Sequence, residues 1–299
     1  MEVYRYGPLI CGKLARRINR FVCEVLIDGE SDITLCYMAN PGSMLGMCIA
    51  GADVRASHAP PGSSKFRYRI EAVKIGSVWI GCNTMLANKI VCTLLHKGSL
   101  AEMGLIPRYD SFRQEVREGK TRFDFLTTSQ TPNTTIFIEV KTVTMASNWY
   151  DLEVEQKRAD KPFHRFPTSR PAECNHQQNE QLLALFPDCE SKRAQRHVEH
   201  LANCASREGT AGVMIFVVVR DDVSAVSPSE YCDEVYSKLI KKYLGKAVSC
   251  IALQCKMHLD DPKNSFVEFI REIPVYNSPE QVSPMLSQSS SRSKRVRMR

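Results

Sequence analysis

The stretch "IFIEVKTV" (residues 136–143) reads as a buried β-strand, since Ile136, Phe137, Ile138, Val140 and Val143 are β-branched or aromatic. Two charges, Glu139 and Lys141, interrupt it. Side chains two apart on a strand project from one face, and a buried ion without a partner loses its hydration for nothing. Upstream, "FRQEVREGKTRFDFLT" (112–127) reads as two strands with a turn at Glu118-Gly119-Lys120. If its second strand pairs with 136–143 as a hairpin, Asp124 stands beside Glu139. Two crowded carboxylates repel, and one takes a proton unless a cation intervenes. Magnesium (or manganese) answers this, because it accepts one or two protein carboxylates and keeps places for water and a phosphate oxygen. Asp124, Glu139 and the backbone carbonyl of Val140 are then the expected metal ligands. Lys141 would orient or deprotonate an attacking water, or offset charge in the transition state. The competing reading is a cross-strand salt bridge at a sheet edge. The E-x-K spacing alone does not decide, as it recurs at Glu118/Lys120, Glu155/Lys157 and Glu190/Lys192 in segments expected to be exposed.

Working outward, "NKIVCTLLHKGSLAEMG" (88–104) predicts a helix with Ile90, Leu94 and Leu95 on one face, and "TSQTPNTT" (128–135) a polar loop. "SKRAQRHVEHLANCAS" (191–206) predicts an amphipathic helix with Ala194, Val198, Leu201 and Ala205 inward. The continuous run "VMIFVVVR" (213–220) predicts a strand covered on both faces. A helix through "YCDEVYSKLIKKYLG" (231–245) and a strand through "AVSCIALQC" (247–255) complete an α/β unit around a mixed sheet. Ahead of it lie short strand-like runs, "FVCEVLI", "ITLCYM", "ADVRAS", "FRYRIEAVKI" and "VWIGC", separated by the turn signals "DGESD", "NPGS" and "HAPPGSS". These predict a small barrel. The expected division is a barrel over 1–82, an α/β domain over 83–276 with a polar insertion at about 146–181, and a basic tail over 277–299. In the barrel, Tyr68 and Arg69 are read either as a stacking and phosphate-binding surface or as plain barrel cover.

The 299 residues carry a formal net charge of +7, which is compatible with a polyanionic partner. Much of the excess sits in Arg292, Lys294, Arg295, Arg297 and Arg299. Twelve cysteines occur without any C-x2-C pair, so reduced thiols in an intracellular protein are expected rather than a zinc or disulfide framework. No apolar run is long enough to suggest a membrane span. The arginine-rich start, "LICGKLARRINRF", resembles a transit peptide in composition yet leads directly into a strand pattern. Cytoplasm, nucleus and an organelle all stay open.

Taken in order, "RRINRF", "NPGSM", "CNTMLANKIV", "YDSFRQEVREGKTRFDF", "IFIEVKTVTM", "ALFPD", "SKRAQRHVEHL" and "FVVVRDD" closely resemble the SfsA (sugar fermentation stimulation protein A) family. That family is understood as an OB-like barrel followed by a domain of the PD-(D/E)XK nuclease superfamily. The resemblance implies an α+β protein of two domains that binds DNA and is a suspected magnesium- or manganese-dependent nuclease. The alternative it leaves is a non-catalytic DNA-binding regulator linked to sugar metabolism. Carried over, Asp124, Glu139 and Lys141 match the metal and catalytic positions. Arg122, Gln195 and His197 also match motif positions, with Gln195 expected to hold a phosphate or the water. Arg193 and Arg196 are expected on the nucleic-acid backbone. Glu115 is a possible third acid, depending on register. His197 and His200 are either proton carriers or phosphate ligands, or else solvated residues on the polar side of the helix. Asn40, Gly42 and Ser43 form either a backbone nest for a phosphate or a turn that needs Gly42 for its angles.

Overall fold

The computed structural model describes residues 1–59, 65–147 and 182–277. Five strands close a barrel: β2 (Ile10–Asn19), β3 (Val22–Ile27), β4 (Ile33–Met38), β5 (Asp53–His58) and β6 (Tyr68–Ile75). Antiparallel pairs β2–β3, β3–β4, β2–β5 and β5–β6 are closed by a parallel β4–β6 pairing, and β7 (Val78–Gly81) extends β6. Alternating residues of these strands fill the barrel with Leu14, Cys23, Val25, Met38, Val54 and Ile70. The arginine-rich start is thus largely a barrel strand. Tyr68 points inward and is buried, and Arg69 is paired with buried Glu71, so neither forms the stacking surface considered for them.

The second unit is a seven-stranded mixed sheet in the order β1-β16-β15-β13-β10-β9-β8. Its strands are β1 (Glu2–Arg5), β8 (Ser111–Glu118), β9 (Thr121–Gln130), β10 (Asn133–Val143), β13 (Thr210–Val218), β15 (Val248–His258) and β16 (Phe266–Ile273). β13 lies between parallel β10 and β15 and is covered on both faces. Val213, Ile215 and Val217 enter one core, with helix α1 (Met85–His96), while Met214, Phe216 and Val218 enter the other, with α3 (Lys192–Ala205) and α4 (Glu234–Tyr243). The chain's first residues therefore lie in this sheet and not in the barrel, because β1 pairs with β16. The helix expected over 88–104 is two helices, α1 and the single turn α2 (Ser99–Glu102), parted by Gly98 at φ +68°. The polar loop expected at 128–135 is mostly ladder, since pairing runs from Asn133↔Gln130 to Ile138↔Phe125.

A three-stranded sheet, β11 (Met145–Ser147), β12 (Leu182–Phe186) and β14 (Val223–Pro228), was not expected, and Ala146 and Ser147 belong to it rather than to an insertion. The remainder of that segment, and the tail from 278 onward, lie outside the described residues. Barrel and sheet are joined by direct bonds. Gly81 N–H donates to the Val219 carbonyl at 3.0 Å, Arg55 Nε to the Leu259 carbonyl at 2.9 Å, and Trp79 Nε1 to Asp260 Oδ1 at 2.9 Å.

Candidate functional site

The β9–β10 ladder ends at Ile138↔Phe125. One step on, the same register sets Glu139 opposite Asp124, but the strands have parted. Val140 would be left with a buried, unpaired N–H, which proteins rarely tolerate. Asp124 satisfies it: Oδ2 accepts from Val140 N at 2.7 Å, and Oδ1 accepts from Asn88 Nδ2 of α1 at 2.8 Å. Because a strand residue turns its N–H and C=O toward the same neighbour, the Val140 carbonyl faces Asp124 as well.

Glu139 is 3% exposed and lies on the face covered by α3. Its Oε1 accepts from Lys141 Nζ at 2.5 Å and is bonded to His197 Nδ1. The imidazole nitrogen also stands 3.4 Å from Lys141 Nζ. Oε2 is buried with no hydrogen-bond partner. Burial raises the Asp124 pKa, and the nearby Glu139 charge raises it further, against the bonds from Val140 and Asn88. Burial also pushes Glu139 upward, but Lys141 and His197 outweigh it and hold the carboxyl below its ordinary range. Asp124, Glu139 and Lys141 thus lie near enough to act on one another electrostatically, and this pulls the two carboxyl pKa values in opposite directions.

The remaining sequence candidates divide. His197 is buried against Glu139, so it is neither a solvated helix residue nor a surface contact for nucleic acid. Gln195 is turned aside: its Nε2 donates to Asp233 Oδ1 at 2.8 Å, and Asp233 Oδ2 accepts from Ser191 N. Asp233 thereby links the N-termini of α3 and α4, a structural task. Arg193 and Arg196 are exposed on α3. Glu115 occupies the β8 position facing Asp124, between the pairs Gln114↔Phe125 and Val116↔Phe123. Its backbone is left-handed at φ +52°, and its exposed carboxylate meets exposed Arg122 at 3.5 Å. His200 bonds Thr121 Oγ1 instead of solvent. Two of the other E-x-K pairs, Glu118/Lys120 and Glu190/Lys192, lie at or near the surface as expected, and Glu155/Lys157 falls outside the described residues.

Sequence reasoning missed Asn88 as the partner of Asp124. A single Asn beside an apolar helix stripe has no periodic signal, and only its place in "CNTMLANKIV" marked it. It also misread the "NPGS" loop. Gly42 is not among the positive-φ glycines. The anion it faces is the chain's own Asp188, whose Oδ2 accepts from Met44 N at 2.9 Å and whose backbone carbonyl accepts from Ser43 Oγ.

The metal implied by the sequence pattern is tested by this donor set. Two carboxylates, one with an orphaned buried oxygen atom, are donors of the kind a hard divalent cation takes. Against a fuller cage, no group of three or more His, Cys, Asp or Glu placed to hold a metal occurs among the described residues. No helix among them is long and apolar enough to cross a membrane.

Comparison with known proteins covers both units. The family model described as "Sugar fermentation stimulation protein RE domain" matches residues 85–152 and 173–261, and "SfsA N-terminal OB domain" matches 15–82. A sugar fermentation stimulation protein homolog of Pelobacter propionicus is 31% identical over 249 residues, covering 83% of this chain and 91% of the relative. One from Crocosphaera subtropica is 28% identical over 260 residues, covering 86% and 92%. The structure of Pyrococcus furiosus SfsA, described as a complex with Ca2+, superposes with a TM-score of 0.69 at 24% identity, covering 92% of this chain and 99% of that one. With an OB barrel followed by a mixed-sheet α/β unit, and relatives matched over nearly their whole length, this chain belongs to the sugar fermentation stimulation protein (SfsA) family.

Proposed function

We propose that the chain binds nucleic acid, DNA in the first instance, and hydrolyses its phosphodiester bonds at Asp124, Glu139 and Lys141, in the manner of a PD-(D/E)XK nuclease. The observation that carries this reading is Glu139: a buried carboxylate held on one oxygen by Lys141 and His197, with the other oxygen free and Asp124 alongside. A purely structural ion pair has no need of a second buried carboxylate whose charge it must oppose.

Asp124, Glu139 Oε2 and the Val140 carbonyl would hold a divalent ion, magnesium or manganese. Bound there, the ion supplies charge neutralisation for the phosphate and lowers the pKa of water. Asn88 and the Val140 N–H orient the Asp124 carboxylate. Lys141, with its ammonium fixed by Glu139, offers a proton donor and a positive charge beside the reacting phosphate. Exposed Arg193, Arg196 and Arg122 supply the positive surface for a polyanion. The Ca2+ named for the Pyrococcus furiosus protein is in keeping with an oxygen-ligand cation site in this family. The name of the relatives points to a link with sugar metabolism as the setting of the activity.

The ammonium of Lys141, tied to Glu139 in a buried ion pair, favours a second reading, a DNA-binding regulator that does not turn over. One experiment separates them. Labelled single- and double-stranded DNA and RNA are incubated with the full chain in magnesium, manganese or EDTA. Metal-dependent cleavage lost in Asp124→Ala and in Lys141→Ala supports the nuclease. Salt-sensitive binding without cleavage, tightened by Asp124→Asn, establishes the regulator instead.

A further inference from the structure

Three aromatic rings stand in a row on the outside of the barrel. Phe21 and Tyr37 have centroids 6.2 Å apart with planes 23° from parallel, and Tyr37 and Phe66 are again 6.2 Å apart, at 16°. Phe21 precedes β3, Tyr37 lies in β4 and Phe66 precedes β6. Strand pairing holds them in line: Met38 N donates to the Phe21 carbonyl at 2.9 Å, Val22 pairs with Tyr37, and Tyr37 pairs with Arg69. Phe21 is 43% exposed. A row of near-parallel rings at a surface has already met the entropy cost of ordering its platform, and every nucleobase has a flat face that can extend such a stack. Basic side chains flank this end of the barrel, with Arg20, Lys65 and Arg67 all exposed.

The row also leads toward the site. Arg17 donates to the carbonyls of Arg20, Asn40, Gly42 and Ser43, tying the turn before Phe21 to the loop that meets Asp188. Asp188 lies four residues before α3, which carries Arg193, Arg196 and His197.

We propose that Phe21, Tyr37 and Phe66 form a stacking platform that holds the unpaired bases of a single-stranded nucleic acid. This deepens the proposed function by naming an unpaired strand as the bound form, yet it concerns binding alone and stands or falls without cleavage. A duplex hides its base faces within its own stack and cannot use the platform, whereas an unpaired strand can.

The test measures anisotropy of labelled oligo(dT), oligo(U) and a duplex of equal length, with the full chain in EDTA. Wild type is expected to hold the single strands tighter than the duplex, and the oligo(dT) and oligo(U) arms tell DNA from RNA. Phe21→Leu with Tyr37→Leu keeps an apolar surface and removes two of the three rings. It should weaken single-strand binding by roughly tenfold or more, while Tyr37→Phe, which keeps the ring, and Val235→Ala, an exposed change on α4, stay near wild type. Ultraviolet crosslinking of oligo(dT), mapped by mass spectrometry, should mark residue 21, 37 or 66 of the wild type whatever the stability of the variants. Unchanged binding by the double leucine variant overturns the platform, as do crosslinks confined elsewhere or a dimer through this face that excludes the oligonucleotide. If the chain cleaves duplex DNA with magnesium but holds no single strand, the platform falls and the proposed function stands. If the rings matter for binding but nothing is cleaved, the platform stands and the nuclease reading falls.

Discussion

Gly42 of the barrel and Asp188 of the α/β unit meet so closely that no side chain fits between them. A Cβ built on Gly42 would stand 2.7 Å from Asp188 Cγ, and nearer still to both carboxylate oxygens. The glycine is required by close approach rather than by its backbone angles. Gly42→Ala should therefore force the carboxylate away from Met44 N and destabilise the chain by about 1–3 kcal/mol, the usual cost of overpacking. Urea denaturation checks this. Asp188→Ala added to Gly42→Ala should cost less than the two single changes summed, because the clash disappears with the carboxylate.

The same contact has a pH signature. Burial raises the Asp188 pKa, with the Met44 N–H and Arg17 opposing it. A carboxyl whose folded pKa exceeds its unfolded value contributes stability that is present in full below the unfolded pKa and lost as pH rises through the folded one. Relative to Asp188→Asn, which does not titrate, the wild type should accordingly lose stability as pH rises from about 4 toward neutrality. Denaturation curves for both proteins across that window give the slope. A difference that grows in the opposite direction would place the carboxylate in a solvated or better-paired setting.

Much of this architecture is legible from side-chain period. The unbroken apolar run at 213–220 forecasts a doubly covered strand, and alternate residues of β13 do enter two separate cores. Asp124 and Glu139 are brought together by hairpin register, a local property that sequence spacing can reach. What escaped depends on distant parts of the chain. β1 finds β16 across more than 250 residues, and four strand residues carry no hint of that partner. The phosphate nest imagined at the "NPGS" loop is filled by Asp188, some 145 positions away, and local pattern cannot show which anion a loop meets. His197 reads as polar by residue type, yet the helix period sets it three residues after Ala194 and four before Leu201, on the buried stripe. Its burial comes from Glu139, a charge inside the sheet that the helix must cover.

Lys141 and Glu139 form a buried pair, with side chains 12% and 4% exposed. Removing one member of such a pair strands the other's charge. Lys141→Met should destabilise the chain by about 3 kcal/mol, moderated by His197, which stays on Glu139. A divalent ion at the site would offset part of this loss. Added magnesium should then raise the melting temperature of Lys141→Met at least as much as that of wild type, and should leave Asp124→Ala unmoved. Differential scanning fluorimetry across a magnesium series reads all three.

His197 and the arginines of the same helix should separate cleanly. Arg193 and Arg196 face solvent, so replacing both with Ala should weaken nucleic-acid binding at every sequence and reduce the salt slope by roughly two, if each neutralises one phosphate. Stability should move little, since neither side chain forms an ion pair among the described residues. His197→Ala should do the reverse. It leaves Glu139 with Lys141 alone and opens a gap beneath α3, at a cost of about 1–3 kcal/mol for the lost bond to a charged group. Binding in EDTA and its salt dependence should stay near wild type, because the ring is covered by its own helix and never reaches the surface. The magnesium concentration needed for thermal stabilisation should rise, because Glu139 is then free to turn its carboxylate. A His197→Ala protein that melts normally but loses affinity for nucleic acid would place this residue on the surface and remove it from Glu139.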